Sequence, residues 1–212
     1  GKTVISLVLA VVLASGVGVF VLARLTYQDA FYELGVKCTA SDFIFSFAKE
    51  LSTSSLVKDF YCYDSFGVRV EGEEDNIPMT VTSDLTKNIG DDCVVDYAEG
   101  FDLTAFEGTA QVCLVGKEIA EKLNISPEDE ICILADLLYT ALKDQGGEKA
   151  VSSGYKPYKV IGVIESDDAN IRGGIFSGIR SDLTRLFSMD FAVEHCEFIL
   201  ADNDRLDELE EL

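Results

Sequence analysis

Val112-Cys113-Leu114-Val115-Gly116-Lys117-Glu118-Ile119-Ala120-Glu121-Lys122-Leu123 decides how this chain folds. Ala110 to Val115 reads as a compact apolar strand, Gly116 ends it, and Lys117 to Leu123 reads as a short helix. Ser126-Pro127-Glu128-Asp129 is a turn, and Glu130 to Leu134 a further strand. Leu137 to Lys143 fits helix or strand, and Gln145 to Tyr155, with Gly146, Gly147 and Gly154, reads as a flexible loop. Tyr158 to Glu165 is a strong strand, with Val160, Ile161, Val163 and Ile164 around Gly162. Ser166 to Ile175 reads as a polar loop, Ser181 caps a helix through Phe187, Phe191 to Leu200 is a strand, and Asp204 to Leu212 starts a helix.

Upstream, Val94 to Tyr97 is a short strand, Asp84 to Asp92 a polar stretch, and Met79 to Thr82 alternates as a strand does. Val57 to Val70 reads as extended chain around a turn at Asp64-Ser65 and Gly67. Ser41 or Asp42 is placed to cap a helix with Phe43, Ile44, Phe47, Leu51 and Leu56 at helical spacing. The elements are mixed, without a strict βαβ repeat. The expected class is α+β, in one lobe or two.

Val4 to Ala23 is an uncharged apolar run, VISLVLAVVLASGVGVFVLA, bracketed by Lys2 and Arg24. As a helix it rises about 30 Å, the thickness of a bilayer's hydrocarbon core. It outruns a signal-peptide core of about 7–15 residues. The expectation is a retained transmembrane helix with its juxtamembrane extension over residues 1–28, and an extracytoplasmic domain over 29–212. Ser6, Ala10, Ala14 and Gly18 recur every four residues and line small side chains along one face of that helix, where another membrane helix can approach closely.

Of the 17 basic residues, Lys2 and Arg24 precede Asp29, the first acidic one; the remainder carries 15 basic and 38 acidic side chains, a net charge of −23. Such a field repels phosphate backbones and excludes nucleic acid as a partner. It also repels anionic lipid head groups, so the domain stands off the membrane surface. Six cysteines, at 38, 62, 93, 113, 132 and 196, contain no CxxC pair, against zinc-ribbon and thioredoxin readings. Cys113 and Cys132 sit in apolar strand patterns and read as buried core thiols. Six cysteines allow 15 pairings, which the sequence leaves open; Cys38 and Cys62, which flank one helical segment, are the first candidate for a disulfide.

Taken in order, these segments resemble the MacB/FtsX-type ABC transporter permeases. Tyr97-Ala98-Glu99-Gly100-Phe101 resembles the family's loop with a glycine followed by a basic residue, a place that Phe101 takes here. Val112 to Leu123 resembles its apolar strand, glycine and short helix. Ser126 to Ile133 corresponds to the turn and strand that follow, with Glu128 where the family favours glycine. Tyr158 to Ile164 resembles its "V-V-G-V" strand, and Phe191 to Leu212 its last strand and the helix returning to the membrane. The resemblance implies a first transmembrane helix plus a MacB-like core domain, extracellular or periplasmic, from a longer protein in the cell membrane. It also implies no enzymatic activity and no cofactor. Implied partners are a cytoplasmic ABC ATPase subunit or domain, a second permease copy, and an extracellular protein or peptide.

The residues themselves offer little catalytic chemistry. No GxxxxGK[ST] is present, which excludes a P-loop, and no GxSxG elbow accompanies His195, the single histidine. Glu71, Glu73, Glu74 and Asp75 lack the ordered spacing of a calcium loop and read as a solvated charge run. No catalytic, cofactor-binding or metal-ligating residue is expected. A partner contact is expected within Asp167 to Gly178, where Ile171, Gly173, Gly174, Ile175 and Phe176 put apolar side chains into a glycine-rich stretch. The competing readings are a single-helix membrane-anchored binding or sensor domain and an anchored hydrolase.

Overall fold

The computed structural model describes residues 8–13, 19–24, 37–40, 43–44, 50–90, 92–181 and 192–201. The first strands are β1 (Val8–Leu13), β2 (Val19–Arg24), β3 (Lys37–Ala40), β4 (Phe43–Ile44), β5 (Val57–Val70) and β6 (Ile77–Thr82). Then come α1 (Leu85–Ile89), β7 (Val94–Tyr97), a 3-10 turn (Leu103–Glu107), β8 (Val112–Gly116), α2 (Lys117–Leu123) and β9 (Glu130–Ala135). The remainder is α3 (Asp136–Gly154), β10 (Lys156–Glu165), α4 (Ala169–Arg172), β11 (Ile175–Gly178), β12 (Ala192–Val193) and β13 (His195–Leu200). The fold is mixed and dominated by sheet. It divides into two compact units, one of residues 1–63 with 190–212, the other of residues 64–189.

In the second unit β8 is buried on both faces, as a fully apolar strand must be. It pairs parallel with β10 on one side and antiparallel with β11 on the other. β11 pairs parallel with β6, which neighbours β5. β9 bonds antiparallel to both β10 and β5, so the path β5–β6–β11–β8–β10–β9 returns to β5. β10 is long enough to serve two partners along one side: Lys156–Lys159 meets β9, and Gly162–Glu165 meets β7. β7 therefore branches off the closed path as an edge. One core cluster packs Leu85, Ile89, Phe106, Val112, Leu114, Ile161, Ile164, Ile171 and Phe176.

α2 follows the sequence reading, ending on Asn124 in the left-handed region at φ 53°, ψ 45°. Glu128, in the turn before β9, also holds a positive φ of 82° while its N–H donates to the Val160 carbonyl at 2.7 Å. That conformation costs a side-chain-bearing residue about 1–2 kcal/mol, part of which glycine returns through the unfolded chain. Glu128→Gly is expected to stabilise the second unit by roughly 0.5–1 kcal/mol, read as a higher urea midpoint; an unchanged or lower midpoint contradicts the strain.

Several local expectations are corrected. Gln145 to Tyr155 is not a loop. It is the second part of α3, broken at Gly147 (φ 62°, ψ −159°). A Cβ added to Gly154 would lie 2.6 Å from Leu142 Cδ1, so the two halves of α3 fold back on each other, with Val151 buried. The polar stretch 84–92 contains α1, capped by Asp84, whose carboxylate accepts from Thr86 N at 3.1 Å. β5 runs straight through Asp64, Ser65 and Gly67 without a turn. Ser65 Oγ lies 2.9 Å from Thr80 Oγ1 on β6, a cross-strand bond that holds a turn-prone residue extended.

In the first unit β13 runs between β3 and β5, antiparallel to both, so that Glu197 faces Thr39 on one side and Tyr61 on the other. Cys196, Phe198 and Leu200 are buried, while His195, Glu197 and Ile199 are half-buried. The register slips by one residue between Tyr61 and Lys58, where Asp59 takes φ 51°, a β-bulge. β4 and β12 pair antiparallel, so Phe43 and Ile44 are strand residues and not the start of a helix. Strand pairing overrides their helical spacing here. Residues 50–53 are helical, and 45–49 lie outside the described residues.

The expected Cys38–Cys62 disulfide is also corrected. Cys62, Cys93, Cys113, Cys132 and Cys196 are thiols. β13 lies between the strands that carry Cys38 and Cys62. Two strand spacings of about 4.8 Å put their Cα atoms beyond the roughly 7 Å a disulfide tolerates. Cys113 is buried as expected, and burial pushes its thiol well above the ordinary range, leaving it inert. Cys132 is half-buried.

β1 and β2 pair antiparallel from Val8 opposite Arg24 to Leu13 opposite Val19. They fall inside the run for which one helix is expected; residues 4–7 and 14–18 of that run lie outside the described residues. Val8, Val11, Val12, Val19 and Val21 are β-branched and favour extended backbone. Among the described residues no helix is long and apolar enough to cross a membrane.

Candidate functional site

The second unit carries a cleft of about 530 Å³ between the end of α1 and the start of β7 on one side and the segment joining β10 to α4 on the other. Its floor is apolar, with Ile89 and Ile171, and its rim is acidic, with Asp92, Glu165, Asp167 and Asp168. Each wall has a local cause. Asp168 caps α4, accepting from Asn170 N at 2.8 Å. Arg172 Nη1 donates to the carbonyls of Ser166 at 3.2 Å and Asp167 at 2.6 Å, which shapes the loop under the rim. Glu165 pairs with Lys117 Nζ at 2.7 Å and holds that ammonium's pKa above its usual value. Cys93, half-buried in the wall, donates its thiol to the Ile89 carbonyl at 2.8 Å. These groups are occupied in local structure, and no nucleophile stands beside a base among them.

β7 opens onto the same cleft. Val94 is 67% exposed at its start, the first of a two-residue alternation that turns Val94 and Asp96 outward. Val95 and Tyr97 pack on the core cluster, and burial, then Asp102, raises the Tyr97 phenol. Among the described residues β7 pairs with β10 alone and stands at the end of the strand order. The sequence marked Val94–Tyr97 as a strand; it gave no sign that this strand ends a sheet, because edge position depends on the partners that other strands choose.

Of the partner contact expected in Asp167 to Gly178, residues 167–170 are exposed, but the apolar side chains that were to make it are not on the surface. Ile171, Ile175 and Phe176 are 8%, 0% and 5% exposed, and Gly174 is buried with them. The stretch reads as a loop in sequence, but α4 covers the core and β11 lies between β6 and β8. Gly173 ends α4, its N–H donating to the Ala169 carbonyl at 2.9 Å. Of the helix-packing residues, Ser6, Ala14 and Gly18 lie outside the described residues, and Ala10 is in β1 opposite Leu22.

His195 is half-buried in the first unit, stacked on Tyr63 at 5.4 Å and 3.7 Å from Glu197, with Tyr61 beside it at 5.9 Å. In the acidic run, Asp75 pairs with Lys122, and the Glu74 carbonyl accepts from Arg69 Nη1 at 2.9 Å. Arg69 also binds Asp136 at 2.6 Å and lies 4.2 Å over the Tyr139 ring, tying β5 to α3. Among the described residues no group of three or more His, Cys, Asp or Glu is arranged to hold a metal ion.

No family model matches this chain, and no curated protein does. Among solved structures it is similar to the extracellular domain of the noncanonic ABC-type transporter YknZ from Gram-positive bacteria, at 17% identity over 78% of this chain and 77% of that one, with a TM-score of 0.42. It is also similar to the periplasmic region of MacB from Actinobacillus actinomycetemcomitans, at 11% identity over 81% of this chain and 71% of that one, with a TM-score of 0.45.

Proposed function

We propose that this chain is a non-catalytic, extracytoplasmic MacB-like domain of an ABC transporter permease, joined to the membrane by Val4 to Ala23. The observation that carries this reading is where the family-like motifs fall in the fold. Gly100 takes φ 82°, and Glu128, at the family's glycine position, takes the same φ. A Cβ at Gly116 would meet the Ile171 and Arg172 carbonyl oxygens at 2.2 and 2.3 Å, and one at Gly162 would meet the Asp96 carbonyl oxygen at 2.7 Å. The glycine-like positions of the resemblance are thus the ones where this backbone needs glycine or strains without it. The division of the chain adds support: the unit that holds the apolar run is rejoined by residues 190–212 after the second unit.

In lipid, a two-stranded sheet would leave the outer N–H and C=O groups of β1 and β2 without partners, so within a bilayer Val4 to Ala23 is helical. Ser6, Ala10, Ala14 and Gly18 then face a neighbouring membrane helix. The domain passes motion driven by a cytoplasmic ATPase to an extracellular protein or peptide, and a second permease copy completes the assembly.

Cells carrying the membrane-bound protein test this. Lys58 and Lys149, both exposed, are expected to react with an impermeant amine reagent in intact cells. Mild-detergent purification is expected to bring down a P-loop ATPase. Labelling only after lysis overturns the outward location. Outward labelling with no ATPase favours the single-helix binding or sensor domain.

A further inference from the structure

In the first unit, Cys196 of β13 stands directly opposite Cys62 of β5 in antiparallel register. Both are 0% exposed. The flanking pairs fix the face they share. Tyr63 and His195 stack across the strands, and Tyr61, itself buried, lies beside them on the same face, so Cys62 and Cys196 share the opposite face. Directly opposed residues on antiparallel strands have Cα atoms about 4.5 or 5.5 Å apart, according to whether the pair is outside or inside a hydrogen-bonded ring. Both spacings fall in the window of roughly 4.4–6.8 Å that a disulfide requires.

From this register we propose that Cys62 and Cys196, both thiols in this structure, form on oxidation a cross-strand disulfide that fastens β5 to β13. The oxidant is a disulfide of a thiol–disulfide exchange protein, or oxidised glutathione. One cysteine thiolate attacks a sulfur of the oxidant, joins it in a mixed disulfide and displaces one thiol. The second cysteine thiolate attacks the Sγ of the first and displaces the other thiol. Two protein thiols are oxidised, one oxidant disulfide is reduced, and the two cysteine protons leave on the two released thiols. Because the pair is buried once β13 has docked, exchange takes place during folding. In the cell this needs the oxidising surroundings of the outward location proposed above. In the test tube it does not, so a failed pairing there counts against the disulfide and not against that location.

The full chain is denatured with reductant, refolded in a glutathione redox buffer, alkylated, and mapped by mass spectrometry without reduction. The expected product joins the peptide of Cys62 to that of Cys196, leaves Cys113 as a protected thiol, and unfolds at a higher urea concentration than chain refolded in dithiothreitol. In a Cys62→Ala/Cys196→Ala variant that difference between the two buffers is expected to vanish. Linkage of Cys62 to any other cysteine, full alkylation of both after oxidative refolding, or a buffer difference that survives in the double variant overturns the proposal.

Discussion

Replacing Gly116 by alanine is expected to destabilise the second unit by about 3 kcal/mol, a loss set by space and not by backbone freedom. Gly116 has φ −63° and ψ 144°, which any residue adopts. The new methyl would stand 2.2 Å from the Ile171 oxygen, 2.3 Å from the Arg172 oxygen and 2.5 Å from the Arg172 carbonyl carbon. All three are main-chain atoms, so no rotamer change relieves them. Gly116 N also donates to the Gly174 carbonyl at 2.8 Å, which holds the end of β8 against the exit from α4. Relief therefore requires α4 to lift from the strand. For a chain of this size the loss corresponds to a fall in Tm of roughly 6–12 °C. Amide exchange at β8 and α4 is expected to rise with it. A Tm within about 1 °C of the parent would show that α4 moves freely, contrary to the packing described.

Leu114→Ala acts in the opposite sense, by emptying space. Leu114 is 0% exposed, in a strand with neighbours on both sides, and belongs to the core cluster with Ile161, Ile164, Ile171 and Phe176. The sheet around it closes on itself and cannot collapse readily into the gap. The expected loss is about 3–5 kcal/mol, toward the upper part of the range for such truncations, read from urea unfolding. A loss under about 1 kcal/mol would contradict the rigidity of that closed path. Leu114 Cδ2 lies 2.9 Å from the place of a Cβ on Gly162, whose other obstacles are the Asp96 oxygen at 2.7 Å and Tyr97 Cα at 3.2 Å. Gly162→Ala is accordingly expected to cost less in the Leu114→Ala background than alone, because the one side-chain collision has gone and only the main-chain ones remain.

What the sequence disclosed and what it hid follow from the range of the interactions concerned. The Val112–Leu123 strand and helix are legible because glycine divides an apolar run from a periodic one, and the structure places α2 on the residues expected. β9 and β10 are legible from their β-branched runs. α1 and α4 are short, capped by aspartates within polar surroundings, and too brief to show a period. The two glycines at 146 and 147 conceal a helical segment whose support comes from Leu134 and Leu142. Ile171, Ile175 and Phe176 look like a sticky surface when read as a loop. They are core because β6 and β8, nearly a hundred and about sixty residues away from β11, close over them. The cleft beside β7 was invisible for the same reason: its two walls meet only through the pairing of β7 with β10.

The interleaving of the two units also sets an order of events at the ribosome. β3 and the first half of β5 emerge early, but β13, the strand that lies between them, is made only after residues 64–189. At roughly 5–20 residues per second the ribosome takes on the order of ten seconds to cross that interval. By then every strand of the closed path is out and free to pair. The strands of the second unit are thus all available before β13 is made, and the sheet of the first unit is completed only when β13 pairs with β3 and β5.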